Sequence, residues 1–152
     1  MKTYYRSNDE IRTLVSAFEE CSFHPSEFRH YQHLTVALWY VWRLSPDAAI
    51  AKMTAGIRRL AETYGKMGYH ETITLFWVRI VSTFVAQSGL DSLCATADAL
   101  IRTCGDKDLI GHFYSADLLA SDKAKSEWVE PDLKPLPLAA DASRSVASAS
   151  IT

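Results

Sequence analysis

The sequence predicts an all-α fold: a compact bundle of about six helices, followed by an extended proline-rich segment and a disordered tail. Apolar residues recur at helical spacing in successive segments, and residues that start or stop helices bound most of these segments. No Asn-Gly or Asp-Gly pair indicates a β-hairpin. The chain of 152 residues is long enough to bury one core, so we predict a single helical domain at residues 7–138.

Capping signals set the limits of the predicted helices. Ser7-Asn8-Asp9-Glu10 is a capping box, and Ser45-Pro46-Asp47 combines an N-cap serine with a proline at the first helical position. Ser26, Asp91 and Gly65 add two helix starts and one helix end. The predicted helices cover residues 8–21, 27–44, 46–64, 69–87, 92–104 and 107–119, with a last turn or two ending near residue 128.

The chain after the helices changes in character. Pro131, Pro135 and Pro137 predict an extended path. From residue 139 onwards, small and polar residues dominate and large apolar side chains are nearly absent. Such a segment cannot bury enough surface to order itself, which predicts a disordered tail at residues 139–152.

The second and fourth predicted helices join polar side chains at their starts to long apolar runs. His30 and His33 are three residues apart, so on a helix they share a face. Glu27 precedes His30 by three residues, and His70 and Glu71 open the fourth helix in a similar way. Because both apolar runs predict buried helices, these polar groups are candidates for a site.

The predicted topology brings the histidines to one end of the bundle. If neighbouring helices alternate in direction, the second and fourth helices run parallel and their N-termini lie together. His30, His33 and His70 would then converge, and His24 and His112 would lie at the same end. The positive potential of helix N-termini favours neutral histidine, the form that binds a metal or accepts a proton.

Three classes of function follow from this cluster. In the first, the protein is a small enzyme or metal-binding protein, in which His30, His33, His70 and Glu71 are the acid–base residues. The metal ligands would be His30, His33, His70 and Glu27, a set that suits a divalent transition metal. In the second class, the histidines are structural and the protein is a non-catalytic module that binds a ligand or a protein. The third class is a nucleic-acid-binding regulator.

Composition and charge rank these classes. With 16 Lys and Arg against 18 Asp and Glu, the net charge is −2, which argues against a nucleic-acid partner. The apolar windows are shorter than a membrane span, which argues against a membrane partner and leaves a small molecule or a partner protein to consider. Cys21, Cys94 and Cys104 form no disulfide framework, and no signal peptide is visible, so we expect a cytoplasmic protein.

Three short motifs resemble those of a known family. They are F-R-H-Y-Q-H-L at residues 28–34, Y-H-E-T-I-T-L-F-W at 69–77 and W-V-E-P-D-L-K-P-L at 128–136. Together they resemble a family of small bacterial all-helical proteins of unknown function. The resemblance implies no reaction. It implies that the two histidine segments and the segment at 131–136 belong together.

Overall fold

The computed structural model describes residues 3–23, 25–65 and 69–137. This part of the chain is all-α, as predicted, and contains no β-strand. Two 3₁₀ turns, Pro25–Glu27 and Lys107–His112, interrupt the α-helices. In chain order the helices are α1 (Asn8–Glu20), α2 (His30–Arg43), α3 (Pro46–Tyr64), α4 (Glu71–Ser88), α5 (Leu93–Cys104), α6 (Ala116–Leu119) and α7 (Asp122–Ser126). The predicted tail and His24 lie outside the described residues.

Helix α2 is the centre of the fold and packs against α1, α3, α4 and α5. Its residues 34–38 are all buried, so every side of this part of the helix is covered. Helix α4 packs against α2, α3, α5 and α7 and is similarly apolar. The two helices in which the sequence placed the candidate histidines are therefore the two main core helices.

Both core helices begin later than predicted. Arg29 is the N-cap of α2: its backbone is extended, and its N–H donates to Gln32 Oε1 at 2.9 Å. Helix α2 therefore starts at His30, and Glu27 belongs to the preceding 3₁₀ turn. The predicted Glu-x-x-His pair is thus not carried on one helix. Helix α4 likewise starts at Glu71 rather than at residue 69.

The predicted sixth helix at residues 107–119 is wrong as a single element. The structure has the 3₁₀ turn Lys107–His112 and then the short helix α6. Ser115 separates them because its Oγ accepts a hydrogen bond from Leu118 N–H at 3.2 Å, capping a new helix. Ser115 also donates through N–H and Oγ to the Asp132 carboxylate, at 2.8 and 2.6 Å. Ser115, which interrupts the predicted helix, is thus held by Asp132, 17 residues further along the chain.

Residues 127–137 contain no helix or strand, bend at residues 132–134 and are hydrogen-bonded to the helical body. The Thr72 hydroxyl donates to the Glu127 carbonyl oxygen at 2.8 Å, and the Tyr114 hydroxyl donates to the Val129 carbonyl oxygen at 2.7 Å. Buried side chains of the body therefore hold this segment in place.

Among the described residues, no single helix is long and apolar enough to cross a membrane. Helices α4 and α5 meet the length and hydropathy of a span only as a pair, and the pair is bent by 119°.

Gly56 provides the close approach between α3 and the aromatic core. A Cβ atom at this position would lie 2.1 Å from Cε2 of Phe18, a ring that is 1% exposed and stacked on Phe28. We expect Gly56→Ala to lower the free energy of unfolding, measured in urea, by about 1–2 kcal/mol, because overpacking outweighs the better helix propensity of alanine. In a Phe18→Leu background the same change should be nearly neutral, and an equal loss there would contradict this explanation.

A candidate ligand-binding cavity

A cavity of about 600 Å³ lies between α2, α3 and α4. This volume is within the range of natural small-molecule sites. Its lining is mainly apolar and aromatic, with a few polar side chains at the start of α2 and α4. The lining residues are Phe28, Arg29, His30, His33, Ala37, Met53, Ile57, Leu60, Ala61, Tyr64, Tyr69, His70, Ile73, Thr74 and Trp77.

Helical spacing explains which side chains reach the cavity. His30, His33 and Ala37 lie at positions i, i+3 and i+7 of α2, which form one stripe. Ala37 on α2 and Ala61 on α3 have side chains that end at Cβ, so neither fills the space beside it. The cavity therefore remains open beside Ala37 and Ala61, where larger side chains would fill it.

His70 lines the cavity, but both of its ring nitrogens are used by the protein. Nδ1 accepts from Ile73 N–H at 3.2 Å and so caps α4. Nε2 lies 2.8 Å from the Leu119 carbonyl oxygen, which can only accept, so Nε2 carries the proton. His70 is therefore a neutral structural residue that joins α4 to α6.

His30 has one ring nitrogen in use. Its Nε2 lies 3.2 Å from the Cys104 carbonyl oxygen and donates to it, so Nδ1 holds a lone pair. The ring packs edge-to-face against Trp77, with centroids 4.5 Å apart. Burial lowers the pKa of His30, which favours the neutral imidazole.

His33 has no hydrogen bond to its ring nitrogens from any described residue. No buried polar side-chain atom in the described part of the chain lacks a partner, so these nitrogens reach the open space of the cavity. The ring packs edge-to-face on Phe28, with centroids 4.4 Å apart. Burial, with a smaller effect of the neighbouring His30, lowers the pKa of His33 to about 4. Neutral His33 offers the cavity one N–H donor and one acceptor.

Arg29 is exposed and lines the cavity, so the cavity reaches the surface at this residue. Its Nε donates to the Ser26 carbonyl oxygen at 3.3 Å. Its guanidinium forms no ion pair with a carboxylate of the described residues. The sequence prediction missed Arg29, although its position directly before His30 at a helix start was a usable signal.

The two predicted glutamates do not line the cavity. Glu27 is exposed in the 3₁₀ turn before α2. Glu71 accepts a hydrogen bond from the Tyr69 hydroxyl at 2.6 Å, and only Tyr69 reaches the lining. The predicted His/Glu site is therefore an apolar cavity with histidines at one end and without a carboxylate.

The predicted metal site is not supported by the geometry. No group of three or more His, Cys, Asp or Glu side chains in the described residues is arranged to hold a metal ion. The reason is visible at each predicted ligand: both nitrogens of His70 and one of His30 are occupied, and Glu27 lies outside the cavity. His33 alone cannot form a metal centre.

His112 does not add to the cluster. His112 is exposed at the end of the 3₁₀ turn Lys107–His112 and does not line the cavity. His24 lies outside the described residues. Among the described residues, three of the expected histidines thus share one cavity.

The motif at 69–77 contacts each of the other two motifs. His30 packs on Trp77, and Val129 N–H donates to the Thr72 hydroxyl at 3.3 Å. The resemblance of these motifs to a bacterial family stays a prediction, since no protein-family model, curated protein or solved structure matched the chain.

Proposed function

We propose that this protein binds a small, largely apolar molecule in the cavity between α2, α3 and α4. The observation that carries the proposal is His33, a cavity-lining histidine whose ring nitrogens have no partner among the described residues. A ligand that displaces water from these nitrogens must replace the lost hydrogen bonds, so a ligand with a group that hydrogen-bonds to His33 suits this cavity.

The other polar lining groups supply few further contacts to a ligand. The hydroxyls of Tyr64, Tyr69 and Thr74 donate to Phe23 O, to Glu71 Oε1 and to His70 O. Among the polar side chains of the described lining residues, this leaves His33, Nδ1 of His30 and the Nη groups of Arg29 without a partner from the described part of the chain. A mostly apolar cavity with a few convergent polar groups is typical of small-molecule binding sites.

Binding can be tested with N-phenylnaphthylamine, an uncharged apolar dye whose fluorescence rises in apolar surroundings. We expect the dye to bind and to quench Trp77, which lines the cavity. Ala61→Phe should fill the cavity and lower dye affinity at least tenfold. Ala55→Phe, an exposed position on the same helix, should leave affinity unchanged.

Two results would contradict the proposal. One is a dye that does not bind the wild-type protein at all. The other is dye affinity that falls equally in Ala55→Phe and Ala61→Phe, which would place the dye outside the cavity.

Acid–base catalysis by His30 and His33 is a second candidate function, favoured by the same uncommitted nitrogens of His33. Burial lowers the pKa of both imidazoles, which favours the neutral form that acts as a base or a nucleophile. Saturable hydrolysis of an activated ester such as p-nitrophenyl decanoate, lost in His33→Phe while the dye still binds, would favour this function. Dye binding without saturable hydrolysis would favour ligand binding alone.

We also propose that the protein acts in the cytosol, because Cys21, Cys94 and Cys104 are free thiols in the structure. Cell fractionation that finds the protein in a membrane or extracellular fraction would contradict this location.

A further inference from the structure

We propose that the ligand is an amphipathic monocarboxylate whose head group contacts Arg29 and His33 and whose apolar body lies along Trp77. This inference depends on the proposed function, because it assigns a chemical class to the ligand of the same cavity. Three properties of the lining lead to it: its charge, the geometry of its polar end and the lack of polar groups elsewhere.

Among the described residues that line the cavity, one side chain carries a permanent charge, and that charge is positive. Of the 15 lining residues, Arg29 is the one charged side chain near neutral pH, and no Asp or Glu is among them. Two opposite charges contact the lining residue Tyr69: the Glu71 carboxylate accepts from its hydroxyl, and Arg58 lies over its ring at 4.2 Å. These two charges largely offset each other. The guanidinium of Arg29 therefore makes one end of the cavity positive, while the other described lining residues carry no permanent charge.

The positive end has donors suited to a carboxylate. Because Nε of Arg29 is used by Ser26, the two Nη groups remain to donate, and a planar guanidinium matches a carboxylate geometrically. His33 provides an N–H to the same cavity. The N-terminus of α2 begins at His30, between these two residues in sequence, and a helix N-terminus also favours an anion.

The rest of the cavity requires an apolar body. Met53, Ile57, Ile73 and Trp77 line it, and the nearby hydroxyls already have acceptors. A second charged or strongly polar group in the ligand would lose water there without finding a partner. A molecule with one anionic end and one apolar end therefore complements this lining.

The test compares decanoate with decanol, two molecules that share an alkyl chain and differ in charge. Each competes against N-phenylnaphthylamine on the wild-type protein, Arg29→Gln and Arg43→Gln at pH 7.5. Arg43 is an exposed arginine at the other end of α2, so Arg43→Gln is the matched control. We expect wild-type protein and Arg43→Gln to bind decanoate at least tenfold more tightly than decanol. In Arg29→Gln we expect this preference to disappear through a loss of decanoate affinity, with decanol affinity unchanged.

The outcomes separate this inference from the proposed function. If the dye binds but decanol competes as well as decanoate, or if neither competes, the ligand class is wrong and the cavity proposal stands. If Arg29→Gln keeps the preference for decanoate, the head group lies elsewhere and the inference is overturned. If the dye itself does not bind, the proposed function fails and the inference fails with it.

Discussion

His70→Ala is expected to lower the free energy of unfolding by about 2–4 kcal/mol. The change removes the N-cap of α4, worth about 1 kcal/mol, and leaves the Leu119 carbonyl oxygen without its donor, at a further cost of about 1–3 kcal/mol. Urea denaturation monitored by circular dichroism measures the difference. The effect should be among the largest of any single polar side chain, because His70 joins two elements through both ring nitrogens.

Two variants separate the contributions of His70. Ser92→Ala removes an N-cap from α5 that accepts only from Ala95 N–H, and should cost about 1 kcal/mol. His70→Asn can keep the cap but cannot extend to Leu119, so its stability should lie between wild type and His70→Ala. If His70→Ala is as stable as wild type and loses only dye binding, then His70 is a binding residue rather than a structural one.

The second large effect is a pH dependence caused by His33. Its pKa is about 4 in the folded protein and near 6.5 when ordinary, so the unfolded chain takes up the proton first as pH falls. Stability from neutral His33 is fully present above pH 6.5 and is lost progressively between pH 6.5 and 4. We expect wild type to lose about 2 kcal/mol more than His33→Phe between pH 7.5 and pH 5.

Denaturant titrations at both pH values, on both proteins, isolate this contribution because all other titrating groups are shared. His33→Phe keeps an aromatic ring beside Phe28. Should this variant fold poorly, His33→Asn serves in its place, since it also lacks a group that titrates in this range. Equal pH dependence in wild type and variant would show that the His33 imidazole is solvated rather than buried in the cavity.

Local sequence signals were sufficient for α3, whose two ends depend on neighbouring residues. Ser45, Pro46 and Gly65 predicted α3 at residues 46–64, and the structure has Pro46–Tyr64 with Ser45 as N-cap and Gly65 in a left-handed conformation. The prediction of helix limits was less accurate where residues distant in sequence contact the helix end. Ser115 is held by Asp132, so the helix predicted at 107–119 is divided.

The candidate site shows the same contrast between what local sequence signals predict and what distant residues decide. Periodicity and helix-start signals were enough to direct attention to His30, His33 and His70, which all line one cavity. The pattern could not show which imidazole is free, because the partner of His70 is 49 residues away in sequence and that of His30 is 74 residues away.

The sequence by itself determined the helical class, the order of the main helices and the residues most worth examining, because hydrophobic spacing and capping are local. Only the tertiary structure showed that His30, His33 and His70 line a mainly apolar cavity and that the described residues are not arranged to hold a metal ion. The cavity exists because α2, α3 and α4 pack with Ala37 and Ala61 on its wall. His33 is available to a ligand because no backbone carbonyl of a neighbouring described element reaches its ring, as Leu119 and Cys104 reach His70 and His30.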